Sequence, residues 1–393
     1  MKHLRIAPAV GALLALAACN SDRTTEPLVA DRAAASLSSD ASNDSDNGSE
    51  NSAGVVFTLS NQVAGNAVLA FHRGADGSLT ADGSYPTGGA GSGAGLGSQN
   101  AVVYSPDGKL LFAVNAGSNT VTAFRVHDDK LTLASTIASG GTHPISVTAA
   151  RGLLYVLNDG GRGNIAGLRY ASNGTLSSIA GSSRSLSTAA AGPAEVQFTS
   201  KGDRLIVSEK NTNTLGAYSV DDDGLASAGL FTASAGVTPF GFVTRDDEII
   251  ISEAAGGAAN ASSASSYEVG RTGPLSVITA SAATTETSAC WVAVTGNGRY
   301  AYTANTSSGT ISGFAVSKGG ALTRLDANGE TAVFGAGTAP ADLAVSHNSQ
   351  FLYSRNGGAR TIGVARIHGD GSLTVLAGGV SGLPSGTVGL AAR

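Results

Sequence analysis

The chain has 393 residues, 42% of them hydrophobic and 13% charged, with 54 glycines, two cysteines and a formal net charge of −5. So large an apolar share excludes a wholly disordered chain, and the glycines lack the strict period of collagen. The near balance of charge, with no basic stripe interleaved with aromatics, excludes a nucleic-acid-binding surface and points instead to a turn-rich all-β protein.

The chain begins with a targeting pattern. Lys2 and Arg5 precede the short apolar run Ile6–Ala15, and Leu16-Ala17-Ala18-Cys19 reads as a bacterial lipobox, small residues just before a thiol that can be acylated. The expectation is a lipoprotein signal peptide over 1–18 and a lipidated Cys19; the alternative is an ordinary secretory signal in which Cys19 is incidental. The apolar run is too short to span a bilayer. With Cys19 acylated, no intramolecular disulfide is expected, and Cys290, at the start of an apolar strand, reads as a buried thiol. Residues 19–53 then form a lipidated, Ser/Asp/Asn-rich tether without an apolar face, expected to be disordered.

From Gly54 onward one phrase is written about seven times. Its clearest copy has an apolar strand after Gln99, the turn Ser105-Pro106-Asp107-Gly108, then Lys109–Asn115, Thr120–Val126 and Lys130–Ile137. Copies restart after Pro144, Pro193, Pro239, Ala289 and Pro340, in steps of 49, 46, 50 and 51 residues. That period, with four short strands per unit, predicts an all-β fold, a seven-bladed β-propeller over 54–393. Blades 2 to 7 begin at Gln99, Ile145, Ala194, Phe240, Cys290 and Ala341. Blade 1 lacks an inner strand at Gly54–Ser60, whereas Thr387–Arg393 resembles Ala341–Val345. The C-terminal strand is therefore expected to complete blade 1 and close the ring, leaving no free sheet edge around it.

Strand direction sorts residues by face. Blade-to-blade loops and loops between second and third strands share one face, here face one; the Ser-Pro-Asp-Gly turns lie on the other, face two. Among the histidines of the repeat, only His143, just before Pro144, reaches face one; it reads either as a catalytic group or as a turn residue. The ends of the second strands align as Asn61, Asn115, Asn158, Glu209, Glu253, Asn305 and Asn356. The two carboxylates stand out, as negative charge on one arc of the funnel or as solvated loop acids. On the inner strands, the column Ala101, Ser146, Glu195, Gly241, Trp291, Asp342 and Gly389 is expected to face the channel. Glu195, Trp291 and Asp342 are thus placed at its mouth, with Trp291 either a platform for a ring or sugar, or a filler. Arg162 and Arg355 could balance these acids or hold a carboxylate. The long blade 5 loop Ala254–Ala264 could be a lid or a tolerated insertion.

The repeat, the closure and the phrase Ser105–Asn115 (SPDGKLLFAVN) resemble the bacterial lactonase family, which includes 6-phosphogluconolactonases and relatives of carboxymuconate-cyclising enzymes. Surface propellers of the YVTN type share the phrase. The resemblance covers Gly54–Arg393 and implies a funnel site of His, Glu and Arg residues. Glu209, in Val207-Ser208-Glu209-Lys210-Asn211, matches the family's glutamate segment, and His143-Pro144-Ile145-Ser146 resembles a His-Pro-His-Ser segment with Ile145 at the second His. Gly192-Pro193-Ala194-Glu195 lacks the family's Arg and His, and Ser354-Arg355-Asn356-Gly357 carries its Arg displaced by one position.

Two functions follow. In the first, an extracytoplasmic, lipid-anchored enzyme of the cell envelope hydrolyses a lactone or sugar-acid ester, with His143 or Glu209 as general base and Arg355 or Arg162 holding a carboxylate. In the second, a non-catalytic surface propeller uses Glu195, Glu253, Trp291, Asp342 and Arg162 to bind a sugar, a peptide or an envelope protein. Neither needs a cofactor or a metal, since a cation held by Glu195, Glu209 and Glu253 would fall short of the six or more oxygen donors usual for such sites. Contact with the membrane is expected through the anchor alone, no nucleic acid is expected, and the propeller is expected to be monomeric.

Overall fold

The computed structural model describes residues 52–393, so the expected signal peptide, Cys19 and nearly all of the tether lie outside the described residues. Cys290, expected as a free thiol, is buried as expected but disulfide-bonded. The second strands explain the architecture most simply. Segments such as Leu110–Asn115 (LLFAVN) and Leu153–Asn158 (LLYVLN) are apolar on both faces and buried throughout. Such strands can only be satisfied between sheets, and stacking blade on blade provides that.

Seven antiparallel sheets result, each written here from the axis outward. Blade 2 is Val102–Tyr104, Leu110–Asn115, Thr120–His127 and Lys130–Ala138. Blade 4 is Pro193–Phe198, Arg204–Glu209, Thr214–Ser219 and Leu230–Ala233; blade 5 is Pro239–Arg245, Glu248–Glu253, Ser263–Glu268 and Ser276–Ala283. Blade 7 is Pro340–Val345, Phe351–Asn356, Thr361–Ile367 and Leu373–Ser381. In blades 3 and 6 the outer strand is split into two short pieces.

Blade 1 closes as its sequence implied. Val388–Ala392 pairs antiparallel with Ser52–Leu59, which continues to Ala67–Gly74 and Leu79–Pro86. The Arg393 N–H donates to Val55 O at 2.9 Å, Thr58 Oγ1 donates to Gly389 O at 2.6 Å, and Arg73 Nε donates to Arg393 O at 3.1 Å. Gly54 is required here, because a Cβ would sit 2.0 Å from Arg393 O.

The Ser-Pro-Asp-Gly turns are built alike. Ser105 Oγ donates to Asp107 and accepts the Leu110 N–H at 2.9 Å, and Gly108 takes a positive φ of 69°. Thr295 with Asn297 and Ser346 with Asn348 repeat the arrangement. Inner strands begin at face one and end beside these turns, so their two ends define the two mouths of the axial channel.

Candidate functional site at the face-one mouth

At face one the channel is filled by the chain itself. The connection from blade 1 to blade 2 crosses the mouth at Leu96–Asn100. Lys210 Nζ donates to Gly97 O at 2.7 Å, Trp291 Nε1 to Ser98 O at 2.9 Å, and Ser98 Oγ to Ile145 O at 2.8 Å. Gln99 spans to the far side, accepting from Val292 N at 3.0 Å and donating to Val292 O at 2.8 Å. Gly241 makes room for it, since a Cβ there would meet Gln99 Oε1 at 2.1 Å.

This filling changes the roles of most residues selected from sequence. Trp291 is buried, stacked obliquely on Phe240 at 4.9 Å, and fills the core instead of offering an open platform. Glu195 is fully buried, its two oxygens accepting from Asn100 Nδ2 at 2.5 Å and Phe242 N at 2.6 Å. It joins blades at the axis, and burial holds its carboxyl well above the usual range, reinforced by the nearby Asp342. Asp342 is 2% exposed and takes a φ of 125°; its Oδ1 accepts the Leu343 N–H at 2.9 Å. Burial pushes its carboxyl up to about 7, outweighing the opposing pull of Arg355. Arg355, 4% exposed beside that acid, is likewise inside the protein and out of reach of a substrate on face one.

The two exceptional glutamates are structural. Glu253 has no exposed surface and accepts from Ser263 Oγ at 2.5 Å, Ser265 Oγ at 2.6 Å and Gly236 N at 2.8 Å. Glu209, equally buried, accepts from Ser187 N at 2.9 Å, from Ser187 Oγ and from Thr212 Oγ1 at 2.8 Å. The aligned asparagines fasten the same spot with opposite polarity: Asn115 Nδ2 donates to Thr120 and Thr122 Oγ1, and Asn305 Nδ2 to Thr310 Oγ1 and Ser312 Oγ. Carboxylate and amide are interchangeable here because a hydroxyl can donate or accept. Neither glutamate is placed to activate water.

The accessible chemistry lies one position further along. The residues after the strand-end column are Gln62, Ala116, Asp159, Lys210, Ala254, Thr306 and Gly357, so an acid and a base stand among mostly small or neutral neighbours. A shift of one residue turns a side chain from the space between blades toward the axis. Lys210 Nζ lies 4.8 Å from the centre of the Phe240 ring, and burial lowers its ammonium to about 8, against the pull of Asp159. Asp159 is an exposed residue; partial desolvation by the neighbouring loops raises its carboxyl, while Lys210 and then His143 act to lower it.

His143 joins this pair. It holds a positive φ of 54°, its N–H donates to Asn119 Oδ1 at 2.7 Å, and its carbonyl accepts the Asp159 N–H at 3.0 Å. Thr238, before Pro239, repeats that geometry against Asn213, so the backbone of His143 serves the turn while its half-buried side chain stands at the mouth. Arg162 is exposed in the adjoining loop of blade 3. The long blade 5 loop is fastened at both ends, with Ala254 N and Ala255 N donating to Thr238 O and Val237 O, Asn260 N to Thr287 Oγ1, and Ser262 Oγ accepting from Ala289 N of blade 6. Among the described residues no group of three or more His, Cys, Asp or Glu side chains could hold a metal ion.

Seven antiparallel blades around a plugged axis, closed by the C-terminal strand, define a seven-bladed β-propeller. A model of the family described as Lactonase, 7-bladed beta-propeller, matches residues 55–162 and 293–379, and the chain is a β-propeller of that lactonase family. Its fold is similar to that of a periplasmic gluconolactonase of Pseudomonas aeruginosa (TM-score 0.64, 16% identity, 85% of this chain and 98% of that one covered). It is also similar to a candidate 6-phosphogluconolactonase of Bacteroides fragilis (0.65, 15%, 88% and 99%) and a protein of Lactobacillus plantarum (0.66, 17%, 86% and 98%). At such identities the likeness concerns the fold alone. A comparison with curated protein sequences finds no match.

Proposed function

We propose that the protein is a lipid-anchored, extracytoplasmic hydrolase that opens a lactone, or cleaves a sugar-acid ester, at the face-one mouth. The observation that carries this reading is the convergence of His143, the exposed Asp159 and Lys210 there, with burial lowering the Lys210 ammonium to about 8 and the Asp159 carboxylate acting electrostatically with both bases. Groups tuned in this way suit proton transfer near neutral pH. The His143 imidazole takes a proton from water, Asp159 stabilises the imidazolium, and the water oxygen adds to the lactone carbonyl. Lys210, one of whose three N–H donors is used by Gly97 O, offers the others to the oxyanion. The ring C–O bond then breaks, the proton passes to the leaving oxygen, and a hydroxy acid is released beside Arg162. The gluconolactonase named for the Pseudomonas neighbour supports trying sugar lactones first.

The test is turnover of a lactone panel, glucono-1,5-lactone included, corrected for spontaneous opening. Lys210→Met and Asp159→Asn are each expected to lower kcat/KM by about 100-fold, and Glu209→Gln to leave the rate per folded molecule unchanged. No acceleration on any lactone, or full activity in Lys210→Met, overturns the reading.

One observation favours a second reading, a non-catalytic propeller that binds a sugar, peptide or envelope protein. Six of the eight residues selected from sequence are buried in structural roles, as Glu195, Glu209, Glu253, Trp291, Asp342 and Arg355 show. Ligand-induced melting shifts without turnover would select it. The anchor is tested separately: Cys19→Ala should abolish labelling by palmitate, and a mature protein with Cys19 and Cys290 joined in a disulfide would refute it.

A further inference from the structure

Lysine is spread unevenly over the two faces. Lys109 and Lys201 lie in turns between first and second strands, and Lys130 and Lys318 between third and fourth strands, so all four stand at face two, and all four are exposed. Among the described residues Lys210 is the one lysine at face one, and it is half-buried. Lys130 and Lys201 are paired with Asp82 and Asp247, whereas no carboxylate of the described residues forms an ion pair with Lys210.

The surroundings of this amine hold a charge poorly. Its Nζ donates to Gly97 O at 2.7 Å and lies 4.8 Å from the centre of the Phe240 ring, which in turn packs on Trp291. One carbonyl and one aromatic face replace only part of the hydration that an ammonium loses on burial. Burial accordingly lowers the group to about 8, and Asp159 is the charged group that opposes the shift. Against about 10.4 for an ordinary lysine, this raises the share of free amine at neutral pH by more than about 100-fold. The Gly97 carbonyl accepts from a neutral amine as well as from an ammonium, so deprotonation keeps Nζ in place and frees its lone pair.

We propose that Lys210 is also a nucleophile, the site at which the protein is covalently acylated by the lactones that enter this mouth. The inference rests on the reading of face one as a lactone site. The nitrogen lone pair adds to the lactone carbonyl carbon, the ring C–O bond breaks, and one N–H proton passes to the released oxygen. The product is an amide bearing the opened chain; no atom leaves, so the protein gains the mass of one whole lactone. An amide does not protonate at neutral pH, so the mouth loses the cation that faces the oxyanion and hydrolysis limits itself. Below about pH 8 the ammonium serves the addition of water, and above it the free amine competes as nucleophile.

The test is incubation of the full propeller with glucono-1,5-lactone, added in repeated portions across a pH series, followed by intact mass and peptide mapping. At about pH 8 Lys210 should carry one opened lactone, and should be labelled at least about 10-fold faster than Lys109, Lys130, Lys201 or Lys318. Labelling of Lys210 should level off once the pH exceeds about 9, as its free amine saturates. Lys210→Arg should abolish the adduct; should that variant fail to fold, the peptide map of the unaltered protein decides. Any turnover should fall in step with the adduct. Turnover without an adduct on Lys210 overturns this inference and leaves the hydrolase reading standing. An adduct on Lys210 without turnover of any lactone supports the inference and overturns the hydrolase reading alone. Labelling spread evenly over the lysines, or an adduct that persists in Lys210→Arg, overturns the proposal.

Discussion

Replacing Asp342 by Asn is expected to stabilise the protein above neutral pH and to leave it nearly unchanged at about pH 4. In the folded protein the carboxyl keeps its proton up to about pH 7, whereas in the unfolded chain it ionises around 3.8. Between those values the unfolded state binds fewer protons, so stability falls as pH rises through this window and is flat above it. A gap of about three units at 1.36 kcal/mol each sets an upper bound of about 4 kcal/mol. Solvent screening takes little from that figure, because the side chain is 2% exposed. Asparagine cannot ionise, keeps the acceptor for the Leu343 N–H, and tolerates the positive φ of 125° as readily as aspartate. Urea unfolding, followed by the fluorescence of the single tryptophan, Trp291, would be measured at about pH 4 and pH 8 for both proteins. Subtracting the curves cancels the groups the two share, including most of the contribution of Glu195. An equal difference at both pH values would refute the reasoning.

Glu253→Ala should lower stability by about 3 kcal/mol or more, since it leaves several buried donors without an acceptor. Activity per folded molecule should persist, and a selective loss of kcat would restore Glu253 to the site. Deleting residues 387–393 removes the buried Val388 and Leu390 and the bonds to Val55 and Thr58, and exposes the edge of blade 1. It should cost more than about 4 kcal/mol; an unchanged melting curve would contradict the closure. Gly241→Ala should displace Gln99 and lower the melting temperature by several degrees. A variant as stable as the parent would show that the crosspiece does not depend on that glycine.

The period of the repeat was enough to define blade number, strand order and the closing strand, because each copy records the same alternation of buried and turn positions. Strand direction also placed His143 and the turns on their correct faces. The site was legible only in part. Glu209 and Glu253 stood out as exceptions among asparagines, but a carboxylate that accepts from hydroxyls looks identical in sequence to one that faces solvent. Asp159 and Lys210 carried a comparable signal one column further on, and choosing between adjacent columns requires knowing where each strand ends.

Local alternation and periodicity thus determined the ring, since both arise from contacts that every blade makes in the same way. What fills the axis was decided by tertiary structure alone. Leu96–Ser98 precedes the second copy of the repeat and Gln99 opens it with a residue no other copy has there, and the contacts of this stretch with Ile145, Lys210, Phe242 and Val292 join residues far apart in the chain. That crossing segment closes one mouth, leaves the other open, and turns the acids of the channel from candidates for catalysis into buried struts.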